Sequence, residues 1–382
     1  MATHIFSSKL PNTGKSIFSE MSARAREANA INLSQGFPNF DCDPQLVELV
    51  SKHMKQGKNQ YAPMAGIEAL RIAIQKKIHT HRNISIDVDS EICITAGATQ
   101  AIYTAISTVI QQNDEVICID PAYDSYKPSI IANGGKAISY ALKGPAYRIN
   151  WQDIEELMSE KTKLFIINNP HNPTGTTYSE QDLLTLARLA EKYNFLVLSD
   201  EVYEHLVFDN QRHVSALEIP ELRSRSFICY SFGKTFHITG WKMGYCIAPS
   251  ALMDEFKKLH QFTVFSVNTP AQYAIAEYLE KETWKTLSAF FQKKRNTLLE
   301  HLEDSPLQAT ASEGTYFLTV DYSALSDKKD HQFAIDLIQK IGVATIPISV
   351  FYENPPNDTR LRICFAKTDE LLEKAGAQFK KL

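Results

Sequence analysis

The chain has 382 residues, and its 40 lysines and arginines against 44 aspartates and glutamates leave a formal net charge of −4. That balance gives no electrostatic reason to expect a nucleic acid or an anionic membrane as partner. An apolar content of 44% with 22% charged residues excludes a disordered or fibrous chain, and the length predicts one large domain with a smaller one beside it.

The first forty residues carry weak patterning, and MATHIFSSKLPNTGKSIF lacks a continuous apolar core of signal-peptide length. No stretch approaches the ~18 apolar residues of a membrane span. From about residue 90 to 250, short apolar runs alternate with helical patterns. Glu91–Ala96 (EICITA) reads as a strand, followed after Gly97 by a helix with Ala101, Ile102, Ala105, Ile106, Val109 and Ile110 on one face. Glu115–Asp120, Lys163–Asn168, Phe195–Ser199, Phe227–Tyr230 and Gly244–Ala248 read as further strands. Ser179 to Asp182 resembles a capping box opening an amphipathic helix. Apolar strands alternating with helices predict a mainly parallel sheet covered on both faces, an α/β fold.

After Pro249 the pattern changes. A helical region from about Pro270 to Glu303 precedes the strand-like TYFLTVDY (315–322), VATIPI (343–348) and RLRICF (360–365), then a final helix. This α+β run reads as the smaller domain. The expected division is a large domain over 46–275 and a small one from 1–45 with 276–382. Six scattered cysteines, mostly in apolar runs and without a C-x-x-C pair, read as reduced core thiols of a cytoplasmic protein.

Ligands of open α/β sheets sit beyond the carboxyl ends of the strands, and four such ends carry unusual residues. Thr95-Ala96-Gly97-Ala98-Thr99-Gln100 is a turn of small residues into a helix, suited to phosphate but also ordinary at strand–helix turns. Asn168 to Gly175 contains two Asn-Pro steps that hold an asparagine rigid. Ser199-Asp200-Glu201-Val202-Tyr203 ends a buried strand on a carboxylate; alone, it reads as a helix N-cap. Ser231 to Tyr245, SFGKTFHITGWKMGY, sets Lys234 and Lys242 among glycines and hydroxyls. Together these supply a phosphate cup, a fixed amide, a carboxylate, a tyrosine and a lysine. That set suits pyridoxal 5′-phosphate, which needs a lysine for its Schiff base and an acid for its ring nitrogen. Elsewhere, His79 and His81 lack a third ligand for a metal, His171, His237 and Tyr126 read as packing, and Arg360 is read as exposed.

The ordered motifs NPHNPTG, SDEVY and SFGKT…GWKMG resemble those of the class I (fold type I) pyridoxal-phosphate aminotransferases, over essentially the whole chain. INLSQGFPNF, NQYAPMAGIEALR, DPAYDSY, FSVNTPAQ, EGTYFL and RLRICFAK support the match, which is nearest the methionine-preferring bacterial group, related to kynurenine and glutamine transaminases. The resemblance implies a seven-stranded, mostly parallel sheet in the large domain and a homodimer with shared sites. It implies that Lys234 forms the Schiff base and moves the proton, that Asp200 pairs with the ring nitrogen, and that Asn172 and Tyr203 hold the ring hydroxyl. Tyr123 would stack on the ring. Ala98, Thr99, Ser231, Lys242 and the partner subunit's Tyr61 would hold the phosphate. Gly36, Asn172 and Arg362 would take the substrate carboxylate, with Phe37 and the partner subunit's Phe265 lining the side-chain pocket. Lys242 departs from the arginine of many relatives and loses its bidentate fork while keeping its charge.

The expected activity is transfer of an amino group from methionine, and aromatic amino acids, to a 2-oxo acid by a ping-pong route. A cysteine-S-conjugate β-lyase or a kynurenine or glutamine transaminase would use the same lysine. A non-enzymatic regulator would carry a basic DNA-binding extension, and no such segment is visible here.

Overall fold

The computed structural model describes residues 7–11 and 13–382, so residues 1–6 and 12 of the expected N-terminal arm lie outside the described residues. Its strands are β1 (Ile31–Asn32), β2 (Ile92–Thr95), β3 (Glu115–Asp120), β4 (Lys136–Ala141), β5 (Thr162–Asn168), β6 (Leu196–Asp200), β7 (Ser226–Ser231), β8 (Gly244–Ile247), β9 (Gln308–Thr310), β10 (Phe317–Asp321), β11 (Val343–Ala344), β12 (Ile346–Pro347) and β13 (Arg360–Cys364). Seven form one sheet in the order β2-β8-β7-β6-β5-β3-β4. All neighbours are parallel except β8, which runs against both β2 and β7.

The apolar strands are explained by burial on both faces. Val116 and Cys118 of β3, with Leu164 and Ile166 of β5, join one core under the helices Gly97–Val109 and Ser250–Thr263. Their alternates Ile117, Ile119, Phe165 and Ile167 join a second core on the other face. Side chains alternate sides with period two, so a strand covered twice must be apolar throughout. The one strand of this sheet that the residue-level reading lacks, β4, is an edge strand whose side chains are half-buried or exposed, and the short β1 and β9 outside the sheet are likewise unread. The capping box at Ser179 is present in both directions and opens the helix Glu180–Tyr193.

Two expected elements divide. Pro270–Glu303 is two helices, Thr269–Leu279 and Leu287–Glu303, parted by a 3-10 turn around buried Trp284 and by left-handed Glu282 (φ 51°). The run 343–348 breaks at Thr345 into β11, which pairs with β1, and β12, which edges a four-stranded antiparallel sheet β12-β13-β10-β9. The β1–β11 pairing carries the chain into Ser34–Phe37, and the Cys364 amide donates to Leu33 O (2.9 Å), holding that segment against β13. All six cysteines are free and five are buried. No helix among the described residues is long and apolar enough to cross a membrane.

Candidate active site

Strand register gathers the candidate residues at one edge of the large sheet. Thr95 and Ser231, the last residues of β2 and β7, both align with Gly244, the first of β8. Because β8 is antiparallel, its lead-in Lys242 falls at the same edge as the carboxyl ends of its neighbours. The free amides of Ala98 and Thr99 lie at the start of the helix Gly97–Val109. Gly97 has φ +76°, and a Cβ there would lie 3.3 Å from Lys242 Cε and 3.4 Å from its Nζ. The ammonium thus sits over a helix N-terminus beside Ser231, and Lys242 has no ion pair among the described residues. A positive helix end, a hydroxyl and an ammonium form a cup for an anion.

The next two strands present an acid and an amide. Asn168 and Asp200, the ends of β5 and β6, are aligned neighbours. Asn168 ties the loops together: its Nδ2 donates to Asp200 O (2.9 Å), and its Oδ1 accepts from the Asn172 amide (2.7 Å). Asp200 is buried and caps no helix; the chain after it forms turns. Its Oδ2 accepts from the Tyr126 hydroxyl at 2.5 Å, and its Oδ1 from the Val202 amide at 3.3 Å. Tyr126 therefore does more than pack. Burial raises the Asp200 pKa from 3.8 to about 6, against the lowering effects of those two donors and the Lys234 charge. The adjacent Glu201 is turned away and satisfied by Ser199, Ser215, Tyr230 and the Ala216 amide. Asp200 is left as a buried acid without an ion pair among the described residues, facing the cavity.

Lys234 stands in the short helix Phe232–Thr235 that follows β7. Its Nζ donates to Tyr316 Oη at 2.6 Å and to Gly36 O at 3.1 Å. Burial depresses its pKa to about 8, with the nearby Arg362 and Lys242 charges acting in the same direction and Cys364 and Asp200 opposing.

Arg362 comes from β13 of the other sheet and is fully buried. Its Nη1 donates to Asn172 Oδ1 and its Nη2 to Ser34 O, both at 3.0 Å, and its Nε has no partner among the described residues. The guanidinium lies 4.0 Å from the centre of the Phe317 ring. Gly36 is flush with both: a Cβ there would come within 3.0 Å of Phe317 Cζ. Arg360 is not exposed. Two residues along a strand return to the same side, and Arg360 bonds Asp358 (2.7 Å) and Asp321 (3.3 Å) with 14% side-chain exposure.

These groups line one cavity of about 270 Å³, with Tyr123, Tyr203 and Phe37 also on its wall. Tyr123 Oη is 3.3 Å from Thr99 Oγ1. Of the expected site residues, Tyr61 and Phe265 alone do not reach the cavity of their own chain. They pack edge to face on each other (5.4 Å) at the surface, 82% and 45% exposed. Tyr126, Tyr316, Asn168, Phe317 and Phe18 belong to the site or its support, though the sequence assigns none of them a site role. Asn168 and Tyr126 fall within quoted motifs, Tyr316 and Phe317 within EGTYFL, and the tyrosines' bonding partners lie far along the chain. His171 is buried against Thr174 and His237 packs among phenylalanines, as expected. His81 packs on Trp284, and no metal-ligating cluster occurs among the described residues.

A buried amine with a lowered pKa, a buried acid lacking a cation, an anion cup and a free guanidinium edge fit pyridoxal 5′-phosphate with an amino-acid substrate. A Cβ on Gly97, at 3.3 Å from Lys242 Cε and 3.4 Å from its Nζ, would crowd the cup beneath that ammonium, where an anion such as the cofactor's phosphate fits.

Comparison with known proteins agrees. A sequence profile of the family described as aminotransferase class I and II matches residues 28–378. A methionine aminotransferase of Escherichia coli (strain K12) is 47% identical over 98% of each chain. A kynurenine–oxoglutarate transaminase of Dictyostelium discoideum is 34% identical, covering 97% of this chain and 94% of that one. Among solved structures, that of YbdL from Escherichia coli, described as having a methionine aminotransferase function, superposes with a TM-score of 0.98 at 47% identity over 100% of both chains. N-succinyldiaminopimelate aminotransferase from Mycobacterium tuberculosis does so with a TM-score of 0.95 at 32% identity, over 98% of this chain and 99% of that one. Sequence, fold and site together establish that the chain belongs to the class I and II aminotransferases, which use pyridoxal phosphate.

Proposed function

We propose that this aminotransferase takes methionine as its preferred amino donor, with aromatic amino acids as further donors, and passes the amino group to a 2-oxo acid in two half-reactions. The observation that carries the proposal is the 47% identity over the full length to a methionine aminotransferase. The aromatic wall of Phe18, Phe37, Tyr123 and Phe317 supports it, because a thioether packs well on aromatic rings.

When bound, the cofactor supplies an aldehyde to carry the amino group and a ring that takes up the electrons left as the substrate α-proton departs. The chain's residues do the rest. The depressed pKa of Lys234 keeps a large share of its amine neutral near pH 8, able to attack a carbonyl and then to take and return a proton at Nζ. Asp200 offers the carboxylate that favours a protonated ring nitrogen, and Tyr126 fixes the direction in which it points. Asn172 and Tyr203 would hold the ring hydroxyl, and Tyr123 the ring face. Ala98, Thr99, Ser231 and Lys242 would hold the phosphate. Arg362 grips the substrate carboxylate with the fork edges not already used by Asn172 and Ser34, beside Gly36.

The site is completed in a homodimer, where the partner subunit's Tyr61 reaches the phosphate and the partner subunit's Phe265 closes the side-chain pocket. Their exposure, with Phe262 at 86%, supports a covered surface. The free thiols suit a reducing, cytoplasmic setting.

The test is the first half-reaction, followed by loss of cofactor absorbance with a panel of amino acids. Methionine should react with the highest kcat/KM. Faster reaction with aspartate or glutamate would overturn the proposal, and keto-acid and ammonia release without an acceptor would mark a lyase instead. Lys234→Ala should abolish the lysine-bound cofactor absorbance and lower turnover by at least about a thousandfold.

A further inference from the structure

The Tyr316 hydroxyl has no part in the mechanism above, yet it makes the shortest contact of the Lys234 amine. It accepts from Lys234 Nζ at 2.6 Å and donates to Gly36 O at 2.6 Å, while the amine also donates to Gly36 O at 3.1 Å. The three groups form a closed triangle. Its corners are rigid. Tyr316 is fully buried, with its ring edge-on to Tyr203 (5.1 Å) and Phe317 (4.9 Å). The Gly36 carbonyl belongs to a segment whose other carbonyls are also held: Ser34 O by Arg362, and Gln35 O (3.3 Å) and Phe37 O (2.8 Å) by buried Lys367.

A lysine side chain has four flexible carbons, and a buried amine without acceptors leaves polar hydrogens unsatisfied. An amine that must leave the cofactor and return to the same atom needs a fixed place to wait. We propose that Tyr316 is a positioning residue for Lys234: its hydroxyl, anchored on the Gly36 carbonyl, docks the amine whenever that amine is not bonded to the cofactor. This rests on the reading of Lys234 as the cofactor's lysine. It also joins the lysine's waiting place to the segment beside which the substrate carboxylate binds.

The test is Tyr316→Phe, which keeps the ring contacts and removes only the hydroxyl. In cofactor-free protein, the reactivity of Lys234 toward acetic anhydride is measured against pH by mass spectrometry of its peptide. Losing an acceptor that favours the charged amine should lower the Lys234 pKa by about one unit. In the loaded enzyme, kcat for the methionine half-reaction should fall about tenfold with KM within about twofold, as for a group that places the proton carrier rather than the substrate. An unchanged titration overturns the proposal whatever the turnover does. A shifted titration with unchanged kcat, or with a loss confined to KM, overturns it too. Lys234→Ala tests the assignment of the lysine separately, so failure of the docking role leaves that assignment standing.

Discussion

Asp200 ties a titration in the site to the stability of the cofactor-free protein. Burial raises its pKa from 3.8 to about 6, with the Tyr126 hydrogen bond, the Val202 amide and the Lys234 charge pulling downward. An acid whose pKa is higher folded than unfolded holds its proton more tightly in the folded state. The resulting stabilisation is complete below about pH 4 and is lost as the pH rises to about 6. Two units at ~1.36 kcal/mol each make the loss about 2–3 kcal/mol. Asp200→Asn removes this titration, so the cofactor-free variant should lose about 2–3 kcal/mol less than the parent between pH 4 and pH 8. Tyr126→Phe removes a donor that favours the ionised form, a bond of about 1.5–3 kcal/mol, and should extend the loss upward by about one to two pH units. Urea unfolding of cofactor-free protein at a series of pH values, followed by tryptophan fluorescence, reads both effects. Loading the cofactor should erase the loss, because a protonated ring nitrogen favours the ionised carboxylate. An Asp200→Asn variant with the parent's pH slope, or a Tyr126→Phe variant with a narrower window, would refute the reasoning.

Arg362→Lys keeps the charge but loses the fork that reaches Asn172, Ser34 and a carboxylate together, so kcat/KM should fall about a hundredfold or more in steady-state assays. Gly97→Ala should weaken cofactor affinity at least about tenfold by equilibrium titration, through the strained φ and the crowding of Lys242; unchanged affinity would remove the anion cup from that position. In mixed dimers, Tyr61→Ala paired with Lys234→Ala should carry one intact site each, about half of the parent dimer's activity, whereas either variant alone stays impaired; no recovery on mixing would show that Tyr61 does not serve the other subunit's site.

Much of this site is readable before folding because its residues follow strands covered on both faces, which stand out as apolar runs. Asp200, Asn172, Lys234 and Ala98 each sit within a few residues of such a run. The edge strand β4 was lost because its half-exposed residues, Lys136 to Ala141, carry no continuous apolar signal. VATIPI looked like one strand because nothing local marks the switch between sheets at Thr345. Tyr126 and Tyr316 were invisible for a different reason. A buried tyrosine that packs and one that bonds a catalytic group are spelled alike, and the partners here, Asp200 and Gly36, lie 74 and 280 residues away.

The reversed course of β8 has a consequence for how the site tolerates change. Its lead-in brings the chain back to the edge that β7 has just left, so the amines of Lys234 and Lys242 hang from one short span of backbone pinned at both ends by the Ser231–Gly244 pairing. The distance between the Lys234 amine and the Lys242 ammonium is thereby set by a single stretch of peptide. One residue inserted between Lys234 and Lys242 would upset that distance at once, whereas a change in the loops that carry Gly36 or Asn172 would leave it alone.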